Sequence, residues 1–174
     1  RQVEDLRELN EDVIYTCACG VGITWRITAG RAMQIPPVRD YVYPGLTASL
    51  SRLIQISGSD HFRIRLVTTK KAEVVLSWNA RSRAVTVSDG GTTKYGTLNL
   101  DDGTYDVLGE LEGLNELLEE ANTSLVAAAR RHGQETEYCS FCGLHLSDPE
   151  SLEAGYGPIC AAHYDLPWGH AAAI

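Results

Sequence analysis

The stretch that decides the fold of the C-terminal part runs from residue 138 to residue 169 and reads YCSFCGLHLSDPESLEAGYGPICAAHYDLPWG. Cys139 and Cys142 are separated by two residues, and Gly143 follows directly. This spacing is typical of a metal-binding knuckle, in which a tight turn presents two thiolates and a glycine lets the backbone fold beneath the ion. The pattern therefore predicts one half of a tetrahedral metal site.

A second pair of ligands lies further along the chain, where Cys160 and His163 are again separated by two residues. Pro158 stands just before them, at a position that favours the first turn of a helix. Two ligands from a knuckle and two from a helix N-terminus build a closed tetrahedral site, and mixed sulfur and nitrogen donors favour zinc over iron. The predicted structural Zn²⁺ site has four ligands: Cys139, Cys142, Cys160 and His163. His145 lies close to the knuckle and is the alternative fourth ligand.

The alternative to a metal site is that these cysteines are ordinary buried thiols. They stand among polar residues in a tail too short to form a core of its own, and such a unit usually needs a metal or a disulfide. The metal site is therefore favoured. Cys17 and Cys19 differ, because C-x-C on a strand points the two thiols to opposite faces, and we interpret them as structural.

The same stretch resembles a small zinc-binding domain of unknown function that occurs in actinobacterial, plasmid and phage proteins. The resemblance rests on the following residues: Cys139, Cys142, Gly143, Leu146, Ser147, Asp148, Ser151, Gly155, Tyr156, Gly157, Pro158, Cys160, Tyr164 and Trp168. It is specific over the last part of the chain and extends, less specifically, back to about Lys94. It implies a metal site and a setting of mobile DNA, but no activity.

Composition and charge exclude several classes of protein. The formal net charge of −8 argues against a general nucleic-acid coat, which would be basic overall. No apolar run approaches the roughly 20 residues of a membrane-spanning helix, and no secretory signal pattern is present. The five cysteines are an odd number, unlike the even sets of disulfide-stapled secreted domains. We therefore expect a cytoplasmic protein, in the host cytoplasm if a phage encodes it.

Charge is distributed unevenly along the chain. The segment from residue 60 to residue 94 is locally basic, whereas the segment from 96 to 129 carries acids and no base. The two segments are either two solvated faces of one domain, or a basic sheet face for phosphate and an acidic helix face for a protein partner. In the second interpretation Trp78 or Tyr95 could stack on bases. The candidate nucleic-acid contacts are Arg63, Arg65, Arg81 and Arg83.

Residues from about 60 to 100 carry the clearest strand signals. In HFRIRLVT, which begins at His61, Phe62 and Ile64 alternate with arginines, and this predicts a half-buried antiparallel strand. AEVVLSW, RAVTVSD and KYGTLNL would complete a β-meander. Residues 105–132 have leucines at helical spacing and are predicted to be helical. The helix would end at Gly133. It is either one helix or two helices joined near Asn122.

The predicted fold class is α+β: an antiparallel β-sheet with packed helices over residues 1–133, then a treble-clef-like zinc-binding module over 134–169 and a tail over 170–174. Upstream, a short helix is predicted around Val3, Leu6 and Leu9. One strand or two would lie between residues 13 and 28. The prolines predict a loop over 34–45, followed by a helix over 46–57 that ends at Gly58.

No sequence motif for catalysis is found, including H-E-x-x-H, G-x-S-x-G and the Walker loop, so we predict that the protein is not an enzyme. The expected function is that of a phage or mobile-element accessory protein that binds a DNA-processing protein. One concrete form is a recombination directionality factor, which binds a serine integrase and switches it from integration to excision. The alternatives are a zinc protein that binds nucleic acid directly, and an anti-defence or host-takeover protein.

Overall fold

The computed structural model describes residues 12–16, 22–28, 31–35 and 41–168. The chain divides into two compact units, residues 1–40 and residues 41–174. In the first unit three antiparallel strands form one sheet in chain order: β1 (Asp12–Thr16), β2 (Gly22–Thr28) and β3 (Arg31–Ile35). The alternative with two strands between residues 13 and 28 is therefore confirmed. The helix predicted around Val3, the pair Cys17 and Cys19, and the tail over 170–174 lie outside the described residues.

The second unit holds a six-stranded antiparallel sheet with helices, which confirms the predicted α+β class. Its strands are β4 (Tyr41–Val42), β5 (His61–Val67), β6 (Glu73–Asn79), β7 (Ala84–Ser88), β8 (Lys94–Asn99) and β9 (Thr104–Val107). Their order in the sheet is β4-β9-β8-β7-β6-β5. The predicted meander corresponds to β5 to β8; the sheet continues to β9, which was not predicted, and β4 is added at the far edge.

Alternation along the strands decides which face of the sheet is buried. Phe62 and Ile64 of β5 are buried, and their partners on β6, Trp78 and Leu76, point to the same side. Arg63 lies between them in sequence and points to the opposite side, which is the face without the main apolar residues. The strand predicted from period-two alternation is confirmed, with its charged residues on the outer face.

The predicted start of the helical region is wrong. Residues 104–107 form β9 instead, because Tyr105 pairs with Leu98 of β8 and its ring lies over Gly96. A Cβ at Gly96 would lie 2.3 Å from that ring, so only glycine leaves room for it. Helical structure begins at Leu114, after Gly113 adopts a left-handed φ of +80°.

The described residues contain five helices: α1 (Pro44–Ser57), α2 (Leu114–Thr123), α3 (Leu125–Thr136), α4 (Pro149–Ala154) and α5 (Pro158–Tyr164). The predicted loop over 34–45 is wrong at both ends, because residues 34–35 belong to β3, residues 41–42 pair as β4 and Pro44 begins α1. The side-chain oxygen of Asn122 accepts hydrogen bonds from the N–H groups of Gly45 at 2.8 Å and Leu46 at 3.1 Å. A distant residue thus caps α1, and Gly58 ends it as predicted.

Among the described residues, none of the helices combines the length and the apolar character that a membrane-spanning helix needs.

The helical region contains a joint, but it does not stop at Gly133. Ser124 separates α2 from α3, and its hydroxyl accepts a hydrogen bond from the N–H of Ala127 at 3.2 Å, which confirms the joint predicted near Asn122. α3 runs on through Gly133 to Thr136. A Cβ at Gly133 would lie 2.2 Å from the Cα of Gly155, so this glycine permits close approach of two backbones instead of ending a helix.

One hydrophobic core joins the sheet, the first three helices and the C-terminal segment. The C-terminal segment contributes these buried residues: Cys139, Phe141, Leu146, Ala154, Tyr156 and Ala161. Tyr164 and Trp168 pack against the same core. The predicted boundary at residue 133 falls inside the second compact unit, so the described part of the C-terminal segment shares a core with the sheet.

Candidate metal centre

The first half of the centre is a tight turn closed by a short bridge. Tyr138 and His145 form an isolated antiparallel bridge, and within it the N–H of Gly143 donates to the carbonyl oxygen of Cys139 at 2.9 Å. Gly143 has a φ of +72°, a left-handed conformation that glycine adopts at little cost. The turn therefore presents the thiols of Cys139 and Cys142 from one short loop.

The second half of the centre is delivered by two short helices. The carboxylate of Asp148 caps α4 by accepting a hydrogen bond from the N–H of Ser151 at 2.9 Å, and Gly155 ends the helix with a φ of +81°. Pro158 then occupies the first turn of α5, where its missing N–H costs no hydrogen bond. Cys160 consequently lies in the first turn of a helix, as its spacing from Pro158 predicts.

The two halves bring three cysteines together. The Sγ atoms of Cys139, Cys142 and Cys160 lie within 4.8 Å of one another. Zinc–sulfur bonds of about 2.3 Å place the sulfurs of a tetrahedral site about 3.8 Å apart, so these thiols need to move little to share one ion. Cys139 is buried, Cys160 is half-buried and Cys142 is exposed. The cluster could therefore hold a metal ion at the border between the core and solvent.

Hydrogen bonds favour a thiolate at the buried end of the cluster. A hydrogen bond from Cys160 and backbone N–H groups of Cys142, Gly157 and Phe141 lower the pKa of Cys139 to about 4, although burial opposes the shift. The same hydrogen bond, together with burial, raises the pKa of Cys160. Metal ligation needs deprotonated thiols, so an ion bound here would displace the proton that Cys160 shares with Cys139 in their hydrogen bond.

Neither histidine belongs to this cluster in the part of the chain that the structure describes. His163 is exposed on α5, and its ring stands perpendicular to that of Tyr164 at a centroid distance of 4.6 Å. Nε2 of His145 lies 3.7 Å from the carboxylate of Glu137, and its ring contacts Tyr138. The structure thus brings together the three predicted cysteine ligands, and the fourth ligand stays a prediction.

The knuckle is fixed to the edge of the sheet through Arg65. The N–H of Arg65 donates to the carbonyl oxygen of Ser140 at 2.7 Å, so the knuckle continues the hydrogen bonding beyond β5. The guanidinium of Arg65 donates to the carbonyl oxygen of Phe141 at 3.3 Å and lies against Gly143. Arg65 was a predicted nucleic-acid contact, but here its side chain is engaged in holding the knuckle.

A buried polar network joins the knuckle to α3. His132 is 0 % exposed, its Nδ1 lies 3.2 Å from Oγ of Ser140, and its Nε2 lies 3.7 Å from the carboxylate of Glu73. Serine, histidine and carboxylate are the groups of a hydrolase triad. However, Ser140 is itself 0 % exposed and its hydroxyl donates to the carbonyl oxygen of Ala129 at 2.7 Å, so the serine and the histidine are packed inside the fold and only Glu73 reaches solvent. Burial also lowers the pKa of His132.

Sequence reasoning missed this network, because nothing in the sequence marks it. Glu73 lies far from His132 and Ser140 along the chain, and the three residues match no motif. Only the packing of α3 against β5 and the knuckle brings them together. These three residues are therefore recognised as a group only from their positions in the fold, and not from their spacing in the sequence.

The remaining predicted arginines lie near the hairpin that joins β6 and β7. Arg63 is exposed on the outer face of β5, opposite Ser77 of β6, and Arg81 and Arg83 are exposed at the hairpin. None of the three forms an ion pair with any described residue. Trp78 pairs with Phe62, whose side chain lies on the core side of the sheet, but Trp78 also lines the groove beside Arg63.

Beside Arg63 lies a groove with a volume of about 440 Å³. We call it the hairpin-end groove. Its strand and turn residues are His61, Arg63, Ser77, Trp78, Asn79, Ser82 and Thr86, and Phe141 and Tyr164 border it on the side of the knuckle. It places one of the candidate arginines beside several neutral polar side chains.

Comparison with known proteins locates a family only in this C-terminal part. A family described as "Family of unknown function (DUF6011)" matches residues 129–165, which include the knuckle, both short helices and all three clustered cysteines. Searches of the curated proteins and of the solved structures find no match. The match and the cysteine cluster together identify a small cysteine-rich C-terminal domain.

Proposed function

We propose that this chain is a non-enzymatic phage or mobile-element accessory protein that binds a DNA-processing protein. The observation that carries the proposal is a set of exposed acids along β9, α2 and the connection between them, which we call the acidic surface. From residue 96 to residue 129 the chain has no basic residue. Asp106, Glu110, Glu116 and Glu119 are exposed and form no ion pair with any described residue. These carboxylates are therefore available to a basic partner.

Apolar side chains accompany the acids. Leu114, Leu117 and Leu118 of α2 point into the core, so the acids of that helix point outward. Next to α2 in the chain, Val107 is 50 % exposed and Leu108 is 64 % exposed. Exposed apolar residues rimmed by charge are typical of protein-binding surfaces. An acidic rim would also steer and orient a basic protein, such as one that itself binds DNA.

Within this proposal the partner is a serine integrase, and the chain acts as a recombination directionality factor in the cytoplasm of the host. The resemblance to phage and plasmid proteins and the acidic surface support this form. An anti-defence or host-takeover protein would use the same surface on a different target. The identity of the partner therefore decides between the two.

The test is a recombination reaction in vitro with the serine integrase of the same mobile element. We expect the protein to stimulate recombination between the two product sites, and Glu116→Lys combined with Glu119→Lys to reduce that stimulation at least about tenfold. The matched control is Glu135→Lys with Glu153→Lys, which changes the charge equally at exposed positions on other helices. Absence of both stimulation and integrase binding would show that the integrase is not the partner.

We further propose that the bound ion is Zn²⁺, that His163 completes the ligand set, and that the module is treble-clef-like with a structural role. The pairing of a knuckle with a helix N-terminus supports this assignment. Zinc bound there would hold the knuckle and α5 together; Cys139, Cys142 and Cys160 would be its sulfur ligands. We expect about one zinc per chain by elemental analysis.

Two histidine variants test the fourth ligand. We expect His163→Ala to weaken zinc binding at least about tenfold in a chelator competition, since it removes one of four ligands. His145→Ala is the matched control, because His145 is also exposed and stands three residues after Cys142 in the sequence; the zinc affinity of this variant should stay within about twofold of the parent. The reverse ranking would assign the fourth position to His145.

A further inference from the structure

We propose that the hairpin-end groove binds the phosphodiester backbone of single-stranded nucleic acid. This activity goes beyond the binding of a protein partner, because the groove lies on β5–β7, whereas the acidic surface lies on β9 and α2. The volume of about 440 Å³ is that of a site for a small molecule or about one nucleotide. The groove can hold a phosphate only if hydrogen-bond donors reach it and are not already engaged.

Asn79 fixes the orientation of the first donor. Its side-chain oxygen accepts a hydrogen bond from the N–H of Arg81 at 2.8 Å, so its amide nitrogen must face the other way. That nitrogen lies 3.3 Å from Nδ1 of His61 and donates to it. When His61 is neutral, its proton is therefore on Nε2. His61 thus keeps a free N–H donor for a ligand oxygen.

Arg63 supplies the main positive charge. Across the sheet it is followed in register by Ser77 and then Thr86, so the floor beside the guanidinium consists of short hydroxyl side chains. No described carboxylate lies within ion-pair distance of it. An arginine that is exposed, unpaired and surrounded by neutral donors is suited to a phosphate group. The guanidinium of Arg65, two residues on, donates to the carbonyl oxygen of Phe141 in the knuckle instead.

A second groove of about 420 Å³ shares His61 and Asn79 with the first, and Arg81 lines it. The two grooves form a path along the end of the sheet, with one arginine at each. Asp60 also lines the second groove and is the acid that opposes an anion there. Successive phosphates of one strand would meet first Arg63 and then Arg81. A single small anion would use only one of them.

The border of the hairpin-end groove favours a nucleic-acid strand over other polyanions. Phe141 and Tyr164 lie at this border and stack on each other with ring centroids 4.7 Å apart. Tyr164 is half-buried, so part of its ring is accessible beside the groove. Bases stack on aromatic side chains, whereas an acidic peptide gains nothing comparable there. A duplex keeps its bases stacked inside and would not use this border.

The experiment measures binding of a fluorescein-labelled ten-nucleotide DNA strand to the metal-loaded full chain by anisotropy, in 50 mM and 200 mM salt. We expect binding that weakens with salt. Arg63→Gln and Arg81→Gln should each lower the affinity for the strand at least about fivefold. Each should also reduce the slope of log affinity against log salt concentration by about 0.7, the value for one single-strand phosphate contact. Lys71→Gln is the control, because it removes the same charge from an exposed turn at the other end of β5 and β6. It should change affinity less than about twofold.

Competitors separate the possible ligands. Unlabelled single strand should displace the probe, whereas inorganic phosphate, a mononucleotide, a duplex of the same sequence and poly-glutamate should do so at least about tenfold less well. Competition by any of these four as strong as that of the unlabelled single strand would overturn the proposal. An equal loss of affinity in Lys71→Gln and Arg63→Gln would also overturn it, as would a lack of binding at 50 mM salt. Thr86→Glu places a negative charge on the groove floor and should also abolish binding, which decides the matter if Arg63→Gln is poorly folded.

Discussion

A Cys142→Ser variant is expected to purify with little bound metal and to unfold at a temperature at least about 10 °C below that of the parent. Cys142 is the exposed member of the cysteine cluster, so its loss removes almost no core packing. The effect must therefore come through the ion. A structural metal site contributes several kcal/mol because its ligands come together only in the folded state.

The destabilisation should reach beyond the knuckle. Residues 139–161 supply six side chains to the common core, and the N–H of Arg65 on β5 donates to the carbonyl oxygen of Ser140 at 2.7 Å. Releasing the knuckle would therefore expose the edge of the sheet and part of its core. In hydrogen exchange of this variant, the backbone amides of the C-terminal segment should show the largest increase in exchange rate and those of β5 the next largest. The amides of β8 should change least.

Leu144→Ser is the control for this variant. Leu144 lies in the same knuckle, is 70 % exposed and is not a ligand, so its substitution should keep about one ion per chain and nearly the parent melting temperature. If Cys142→Ser instead retains stoichiometric metal and full stability, the cluster is not a metal site. The metal content is measured by elemental analysis and the melting temperature by circular dichroism.

Much of the fold could be predicted from local patterns in the sequence. Strands β5 to β8 were predictable because one face of the sheet is buried, and alternation of Phe62, Ile64 and Leu66 with arginines records that. The joint between α2 and α3 was predictable because polar residues near Asn122 interrupt the leucine pattern. The three cysteines were predictable as a group because a knuckle and a helix turn each require a fixed short spacing.

The features that sequence reasoning missed depend on contacts between different elements of the fold. β9 has only four residues, and its position follows from Tyr105 covering Gly96 on the neighbouring strand. The cap of α1 comes from Asn122, and the anchor of the knuckle comes from Arg65. A polar residue whose partner lies more than 70 positions away has no local signature.

A second large effect is expected at the contact between α3 and the end of α4. Gly133→Ala should destabilise the protein by about 3 kcal/mol or more, although alanine normally stabilises a helix interior by roughly 0.5–1 kcal/mol relative to glycine. The reason is steric. The added Cβ would lie 2.2 Å from the Cα of Gly155 and 2.6 Å from its carbonyl carbon and oxygen, and these backbone atoms cannot move aside alone.

Gly155→Ala should be at least as damaging, because two penalties act together. The Cβ would lie 2.4 Å from the Cα of Arg130, and the φ of +81° disfavours any residue with a side chain. Gly58→Ala separates the two penalties. Gly58 also has a positive φ, +58°, but nothing lies within 4 Å of its added Cβ, so we expect a loss of only about 1 kcal/mol there.

Urea unfolding of the metal-loaded variants measures all three free energies. Gly133→Ala is the decisive variant, because helix propensity predicts an increase in the free energy of unfolding and the steric contact predicts a decrease. A variant as stable as the parent would mean that α3 and α4 do not approach as closely as described. A loss of several kcal/mol, accompanied by weaker metal binding, would show that this glycine pair positions the segment that carries Cys160, since Gly155 is followed within a few residues by Pro158 and α5.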